Sequence, residues 1–360
     1  MSWVLAFVGF ALLVILHELG HFAVAKWVGM RVEKFSLFFP PTLVSKKVGE
    51  TEYAIGAIPA GGYVRISGMN PSEDLPEEVR DRAYHAQPVW KRMAVIAAGP
   101  AVNLVLALVL FFIYFGLIGP QTATRDVATI ERGSPAAAVL EPGDRLIAVD
   151  GVRGDTAALA ERISAHRCPG EQVDGCEAAN PATLLIARDG ERIVERATPV
   201  YDGTTDVERT RLGFGFAPGP REALPFGEAV TTSVDRFGYV AGLTLTLPAR
   251  LLNTEQREEI TGIVGSYEIT RQTILNDVAN AVAILALISL SLAIINLFPF
   301  LPLDGGHIFW AAVEKVRGRP VPFAVMERAG VVGFMLVIGL FLIGLTNDIG
   351  RLSDGGFQVR

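Results

Sequence analysis

His17, Glu18 and His21 stand in the pattern His-Glu-x-x-His, inside an apolar run that begins at Trp3 and ends near Ala25. On a helix, positions i and i+4 differ by about 40° of rotation, so both imidazoles share a face and can bind one zinc ion. Glu18 projects about 100° away, where its carboxylate can act as general base toward a water at that ion. A catalytic zinc takes a third protein ligand and leaves a fourth position for water. Asp304, in Pro302-Leu303-Asp304-Gly305-Gly306, is the natural third ligand, because a carboxylate at membrane depth needs a reason to be there. His307 is a further candidate that needs no special role. The bland alternative is a chance match in a signal peptide or a packed helix. Ala23-Val24-Ala25 resembles a signal-peptidase site, but residues 1–16 carry no positive n-region.

These residues need elements that hold them at that depth, and the composition supplies them. The chain has 360 residues, is 50% hydrophobic and 19% charged, with a mean hydropathy of +0.37. That is too apolar for an ordinary soluble enzyme and too charged for a wholly buried membrane protein. It predicts a membrane part joined to a water-facing domain. The net charge of −6 argues against nucleic acid as a partner. Cys168 and Cys176 are the only cysteines. They are too few for a thiolate metal site; they are either two free thiols or a small disulfide-closed loop outside the cytosol.

Four spans are expected, at residues 3–28, 93–118, 278–298 and 329–345. Lys26, Arg31 and Lys34 follow the first, Lys91 and Arg92 precede the second, and Lys315, Arg317 and Arg319 lie between the last two. The positive-inside rule places those loops in the cytosol and both termini outside. Gly99-Pro100 in the second span permits close helix packing, and Asn103 either packs or hydrogen-bonds toward the site. Residues 35–68 hold Phe38-Phe39-Pro40-Pro41, then alternating stretches broken by Gly56, Pro59, Gly61 and Gly62. They read as β-hairpins in a sheet dipping into the membrane beside the metal site, whose edge can pair with an unwound substrate. Residues 69–92 form a polar cytosolic loop with a short helix. Residues 121–202 read as a water-facing α/β sandwich or partial barrel, with a helix at 157–165 and a hairpin at Asp189-Gly190. Residues 203–277 follow as a further extracytoplasmic helical segment, whose 222–261 part is amphipathic and suited to the membrane surface. Two prolines end the third span and two glycines permit a tight turn. The tail to Arg360 reads as poorly ordered.

The combination is recognisable. His-Glu-x-x-His in the first span, Ile58-Pro59-Ala60-Gly61-Gly62-Tyr63-Val64 after it, Gly99-Pro100 with Asn103 in the second, and Asn296…Pro302-Leu303-Asp304-Gly305 in the third resemble the site-2 protease family of intramembrane zinc metalloproteases. The resemblance is nearest to the bacterial regulator-of-sigma-E protease branch. It covers nearly the whole chain, and Gly143 to Gly151 is similar to the core of a PDZ domain. It implies a polytopic α-helical membrane protein of four spans, with a membrane-associated β-hairpin sheet and one inserted extracytoplasmic PDZ-like α+β domain. That branch carries a tandem pair, so any size filter built from two domains is in question here.

The resemblance further implies that Zn²⁺ is held by His17, His21 and Asp304, with Glu18 as the catalytic acid and base. Asn296 would contact the substrate backbone, the sheet bearing Gly61, Gly62 and Tyr63 would capture the unwound substrate, and Asn103 would support the site. The implied substrates are single-span membrane proteins such as anti-sigma factors, and remnant signal peptides, cut at the bacterial plasma membrane near its cytoplasmic side. Two other classes compete. A non-catalytic PDZ scaffold would need none of His17, Glu18, His21 or Asp304. A metal-handling membrane protein would need ligands along a path, yet His85 and His166 fall in water-facing segments.

Overall fold

The computed structural model describes residues 2–70, 73–203, 209–251, 253, 257 and 260–353. The chain forms two compact units, one from residues 1–118 with 223–360 and one from residues 119–222.

The first unit opens with helix α1, Ser2–Trp27, whose Trp3, Val4, Leu5, Phe7, Val8 and Leu12 are exposed, as a helix apolar all round requires of lipid. Strands β1, Val32–Val48, and β2, Thr51–Ile66, follow. Both strands bend, so two strands make a broader sheet. Residues 34–37 of β1 are opposed on one side by 62–65 and on the other by 52–55, while residues 44–48 pair with 51–55. The expected hairpins are therefore one hairpin folded on itself, and residues 62–66 form one of its edges. The tip is tied down through Glu50, which accepts from Lys26 at 2.8 Å and from both Arg82 terminal nitrogens at 2.8 and 2.7 Å. The Arg82 guanidinium, with Lys26, holds the Glu50 carboxyl down at about 2. Helix α2, Val89–Phe112, continues as a π-helical stretch, Ile113–Ile118.

The second unit is a five-stranded sheet in the order β6-β5-β4-β3-β9. Its strands are β3 Gln121–Ile130, β4 Arg145–Val149, β5 Ala182–Arg188, β6 Glu191–Ala197 and β9 Phe214–Arg221. Helix α3, Thr156–Ser164, starts at an Asp155 cap that accepts from the Ala158 amide, and β7 Val200–Asp202 pairs with β8 Arg209–Arg211. Val127, Leu146, Val149, Leu159, Leu184 and Ile186 form its core. Asp189 and Gly190 both have positive φ, as a two-residue hairpin turn demands. Asp144 is buried and takes Arg188 Nε and one terminal nitrogen at 2.7 Å each. Cys168 and Cys176 are joined as a disulfide. The expected boundary at residue 202 is overrun, because β3 needs a partner and β9 provides it, from Gln121↔Arg221 to Ile130↔Phe214. Residues 203 and 209–222 thus belong to this sheet unit rather than to a helical segment, and its strands form one five-stranded antiparallel sheet with the two-stranded β7–β8 ribbon beside it.

The first unit resumes with α4, Phe226–Leu245, whose Ala229, Ser233 and Val240 are buried. Val240 joins Ala107, Phe111, Ala286, Leu290 and Ile294 in one core. Helix α5, Ile263–Asn276, meets α1 where the Tyr267 hydroxyl donates to the Trp3 carbonyl at 2.9 Å. Helix α6, Val278–Asn296, is capped by Asp277. Helix α7, Asp304–Arg317, ends on left-handed Gly318. Helix α8, Phe323–Ser353, is longer than the expected 329–345. Its polar end is not a loose tail: Asp348 is buried and accepts from the Gly262 and Gly265 amides at 3.0 and 2.8 Å, satisfying the start of α5. Residues 354–360 of the expected tail lie outside the described residues. The glycines after Asp304 are a correction too. Gly305 and Gly306 lie inside the first turn of α7, and β-carbons there would meet Leu297 O at 2.1 Å and Leu301 N at 2.4 Å. They serve close approach, not a turn.

Candidate active site

Two crossing helices and one helix start build the site. His17 and His21 lie one turn apart on α1 and are 6% and 7% exposed. Asp304 is the first residue of α7, where the helix N-terminus favours a carboxylate. The three groups converge although 287 residues separate His17 from Asp304. His17 Nε2 lies 3.1 Å from Asp304 Oδ2, His21 Nε2 3.3 Å from the same oxygen, and the two Nε2 atoms 3.2 Å from each other.

The outward ring nitrogens show what this set is built for. His21 Nδ1 faces the Val95 carbonyl at 2.8 Å. A carbonyl only accepts, so Nδ1 carries the ring proton and Nε2 presents its lone pair inward. Two imidazoles and a carboxylate within 4.8 Å of one another are a zinc donor set. Unprotonated donors this close repel unless a cation or a shared proton lies among them. The residues therefore fit the metal that the sequence pattern implies.

Helix α2 presses against the histidines. A β-carbon on Gly20 of α1 would fall 2.7 Å from Ala98 O, and one on Gly99 of α2 would fall 2.2 Å from His21 Nε2. Val95, Gly99 and Asn103 recur at four-residue spacing on the face of α2 that meets His21 and His17. Asn103 is fully buried, with Nδ2 3.4 Å from His17 Nδ1.

A cavity of about 440 Å³ opens on this cluster. Glu18, His17, His21, Asp304, Asn296, Gly61, Gly62 and Tyr63 all line it, so the structure brings together every site residue expected from the sequence except Asn103, which lies behind His17. The 61–64 stretch of β2 forms another wall of the cavity. A β-carbon on Gly62 would lie 3.2 Å from Glu18 Cγ and 2.9 Å from Ser36 O, and one on Gly61 would lie 2.8 Å from the Phe39 ring. Phe39 and Tyr63 stack with ring centres 6.2 Å apart.

His307, His85 and His166 are not in the metal cluster. His85 instead lies 3.0 Å from Gly68 O, and His166 lies 2.8 Å from Asp150. Three contributions were not legible as site features: the Val95 carbonyl, the bare surface at Gly99, and the Ser289 hydroxyl, which donates to the Asn103 carbonyl at 2.9 Å. Only the small residue at Gly99 left a sequence signal, and it pointed to packing.

Comparison with known proteins finds a matching family and relatives along nearly the whole chain. The family model described as Peptidase family M50 matches residues 5–340. A Brucella suis protein named "Putative zinc metalloprotease" is 34% identical, covering 93% of this chain and 92% of its own length. The zinc metalloprotease Rip1 of Mycobacterium tuberculosis is 33% identical, covering 97% of this chain and 98% of its own length. An Agrobacterium fabrum protein, also named as a zinc metalloprotease, is 31% identical over 95% of this chain and 94% of its own length.

Proposed function

The chain belongs to peptidase family M50, the site-2 protease family of zinc metalloproteases, and from that premise we propose that it hydrolyses peptide bonds within or beside the membrane-spanning segments of single-span proteins. It is a multi-pass membrane protein: α1, α2 with its π-helical extension, α6 and α8 are long and apolar enough to cross a bilayer. The observation that carries the proposal is the convergence of His17, His21 and Asp304, with Glu18 beside them, in a cavity between such helices.

In this reading His17, His21 and Asp304 hold the zinc. When bound, zinc supplies Lewis acidity, polarising the scissile carbonyl and acidifying water. Glu18 takes a proton from the attacking water and delivers it to the leaving amine nitrogen. Residues 62–66 form a sheet edge beside Glu18, so an extended substrate can add there as a strand, with its carbonyls presented to the site. Asn296, in the cavity wall, holds the substrate backbone, and the Phe39–Tyr63 stack flanks it. An intact helix hides its carbonyls in its own hydrogen bonds, so substrate must unwind first. Substrates with helix-breaking residues near the cut are favoured.

The basic loops at residues 26–34, 91–92 and 315–319 support a reading in which they face the cytosol of a bacterial plasma membrane and the 119–222 unit lies outside. The Cys168–Cys176 disulfide supports the same orientation, since such bonds persist outside the reducing cytosol. The sheet-and-helix unit is read as a single PDZ-like domain, and anti-sigma factors or remnant signal peptides as the substrate class of the regulator-of-sigma-E branch. A PDZ scaffold without catalysis would leave the converged donors without a purpose.

The test compares wild type with Glu18→Gln in detergent, using a model single-span substrate and quantifying zinc in both. The expected result is cleavage by wild type only, with zinc retained in both. Equal cleavage by the variant overturns the role of Glu18.

A further inference from the structure

We infer that Asn103 is a positioning residue whose side-chain oxygen accepts the Nδ1 proton of His17, fixing which nitrogen of that ring faces the metal. The inference deepens the proposed function, resting on His17 as a zinc ligand.

Two observations at one side chain carry it. Asn103 is fully buried on α2 with its Nδ2 3.4 Å from His17 Nδ1, and its Oδ1 is buried without a hydrogen-bond partner among the described residues. A neutral imidazole that gives its Nε2 lone pair to zinc must carry its proton on Nδ1. That proton would then face the amide NH2, donor against donor, while a buried acceptor goes unused a bond away. Leaving a buried acceptor unpaired is unfavourable, and native structures seldom do it. A half-turn of the amide exchanges Oδ1 and Nδ2 in nearly the same place. One rotation lets Oδ1 accept from His17 and ends the donor-against-donor contact, with the NH2 moved to the former Oδ1 position.

The neighbouring ligand supports this assignment. His21 Nδ1 is served by an acceptor on the same face of α2, the Val95 carbonyl at 2.8 Å. Asn103 lies two turns further along, opposite His17. One helix face thus supplies an oxygen behind each histidine, from backbone at Val95 and from side chain at Asn103. The backbone carbonyl of Asn103 accepts from the Ser289 hydroxyl of α6 at 2.9 Å, which ties this turn of α2 to α6. Outer partners of this kind orient the ring and raise its basicity as a ligand.

The test measures zinc affinity of the full chain in detergent by chelator competition, with the visible absorption of the Co²⁺-substituted protein as a spectroscopic signature. Asn103→Asp keeps an oxygen and no donor; Asn103→Leu keeps neither. We expect Asn103→Leu to lose about 10–100-fold in zinc affinity and to shift the Co²⁺ spectrum, while Asn103→Asp stays within a few-fold of wild type. If Asn103→Leu does not fold, Asn103→Ala is read in its place. An Asp variant as weak as Leu means the amide donates rather than accepts, and a Leu variant equal to wild type means it does neither; both overturn the inference while leaving the reading of His17 as a zinc ligand in place. A wild type that binds no zinc overturns the ligand reading beneath it as well.

Discussion

The imidazole of His21 lies directly on Gly99: a β-carbon at that position would fall 2.2 Å from Nε2 and 2.6 Å from Cε1. No side chain other than hydrogen fits between α2 and this ring. Gly99→Ala is therefore expected to displace His21 and to reduce bound zinc and proteolysis by at least about tenfold. Metal analysis and a cleavage assay on the purified variant check this, with circular dichroism to establish that the helices remain. Full zinc occupancy in Gly99→Ala would show that the ring can move aside.

Gly305 performs the same service for Asp304. A methyl group there would meet the Leu297 carbonyl oxygen at 2.1 Å, so Gly305→Ala must lift the start of α7 from the turn after α6. The expected cost is about 1–3 kcal/mol of overpacking, with loss of the carboxylate from the histidine pair. Chelator competition should report weaker zinc binding. Ser289→Ala, which keeps both histidines and Asp304, serves as a milder comparison.

Asp144 anchors the 119–222 unit through Arg188, which holds the Asp144 carboxyl below the ordinary carboxylate range. A depressed carboxyl stabilises the fold above the unfolded value near 3.8, and that stabilisation is lost as pH falls through the lower folded value. Asp144→Ala should cost roughly 3 kcal/mol, the low end for breaking a buried pair, because Arg188 reaches solvent. Hydrogen exchange along β4 and β5, corrected for intrinsic rates, should show wild type weakening below about pH 4. The variant should be weak throughout.

The disulfide closes a short loop, with Cys168 and Cys176 eight residues apart. Loop-closure entropy gives it about 2–3 kcal/mol. In intact cells the two thiols should resist a maleimide until a membrane-impermeant reductant is added. Labelling without reductant would mean that the pair is reduced and would remove the disulfide's support for the proposed orientation.

Tyr63 stacks on Phe39 at the cavity wall and is not one of the metal donors. Tyr63→Ala is expected to raise KM for a single-span substrate several-fold with zinc content unchanged, because the stack contributes about 0.5–1.5 kcal/mol of organisation. A fall in kcat alone would assign Tyr63 to the chemical step instead.

Much of this molecule was legible before its fold. The apolar runs around Leu13, Leu110, Leu290 and Phe341 read as spans because hydropathy depends on composition alone. Asp189-Gly190 read as a hairpin because few other pairs tolerate positive φ twice. Residues 203–222 misled, since β9 is short of apolar alternation and makes sense only against β3. The last helix was read too short because Asn347, Asp348 and Arg351 look like a loop. Asp348 is paid for by the start of α5, a partner more than eighty residues away.

What the sequence determined by itself was the chemistry. The helical period puts His17 and His21 on one face wherever that helix lies, and Asp304 is the carboxylate beside an apolar span. Tertiary structure decided everything that depends on distance. The crossing of α1 and α2 makes Gly99 indispensable to His21, brings a carbonyl and an amide behind the two imidazoles, and sets the edge of β2 against Glu18. Those relations arise between segments far apart in the chain, where local periodicity carries no information and only packing fixes which atoms meet.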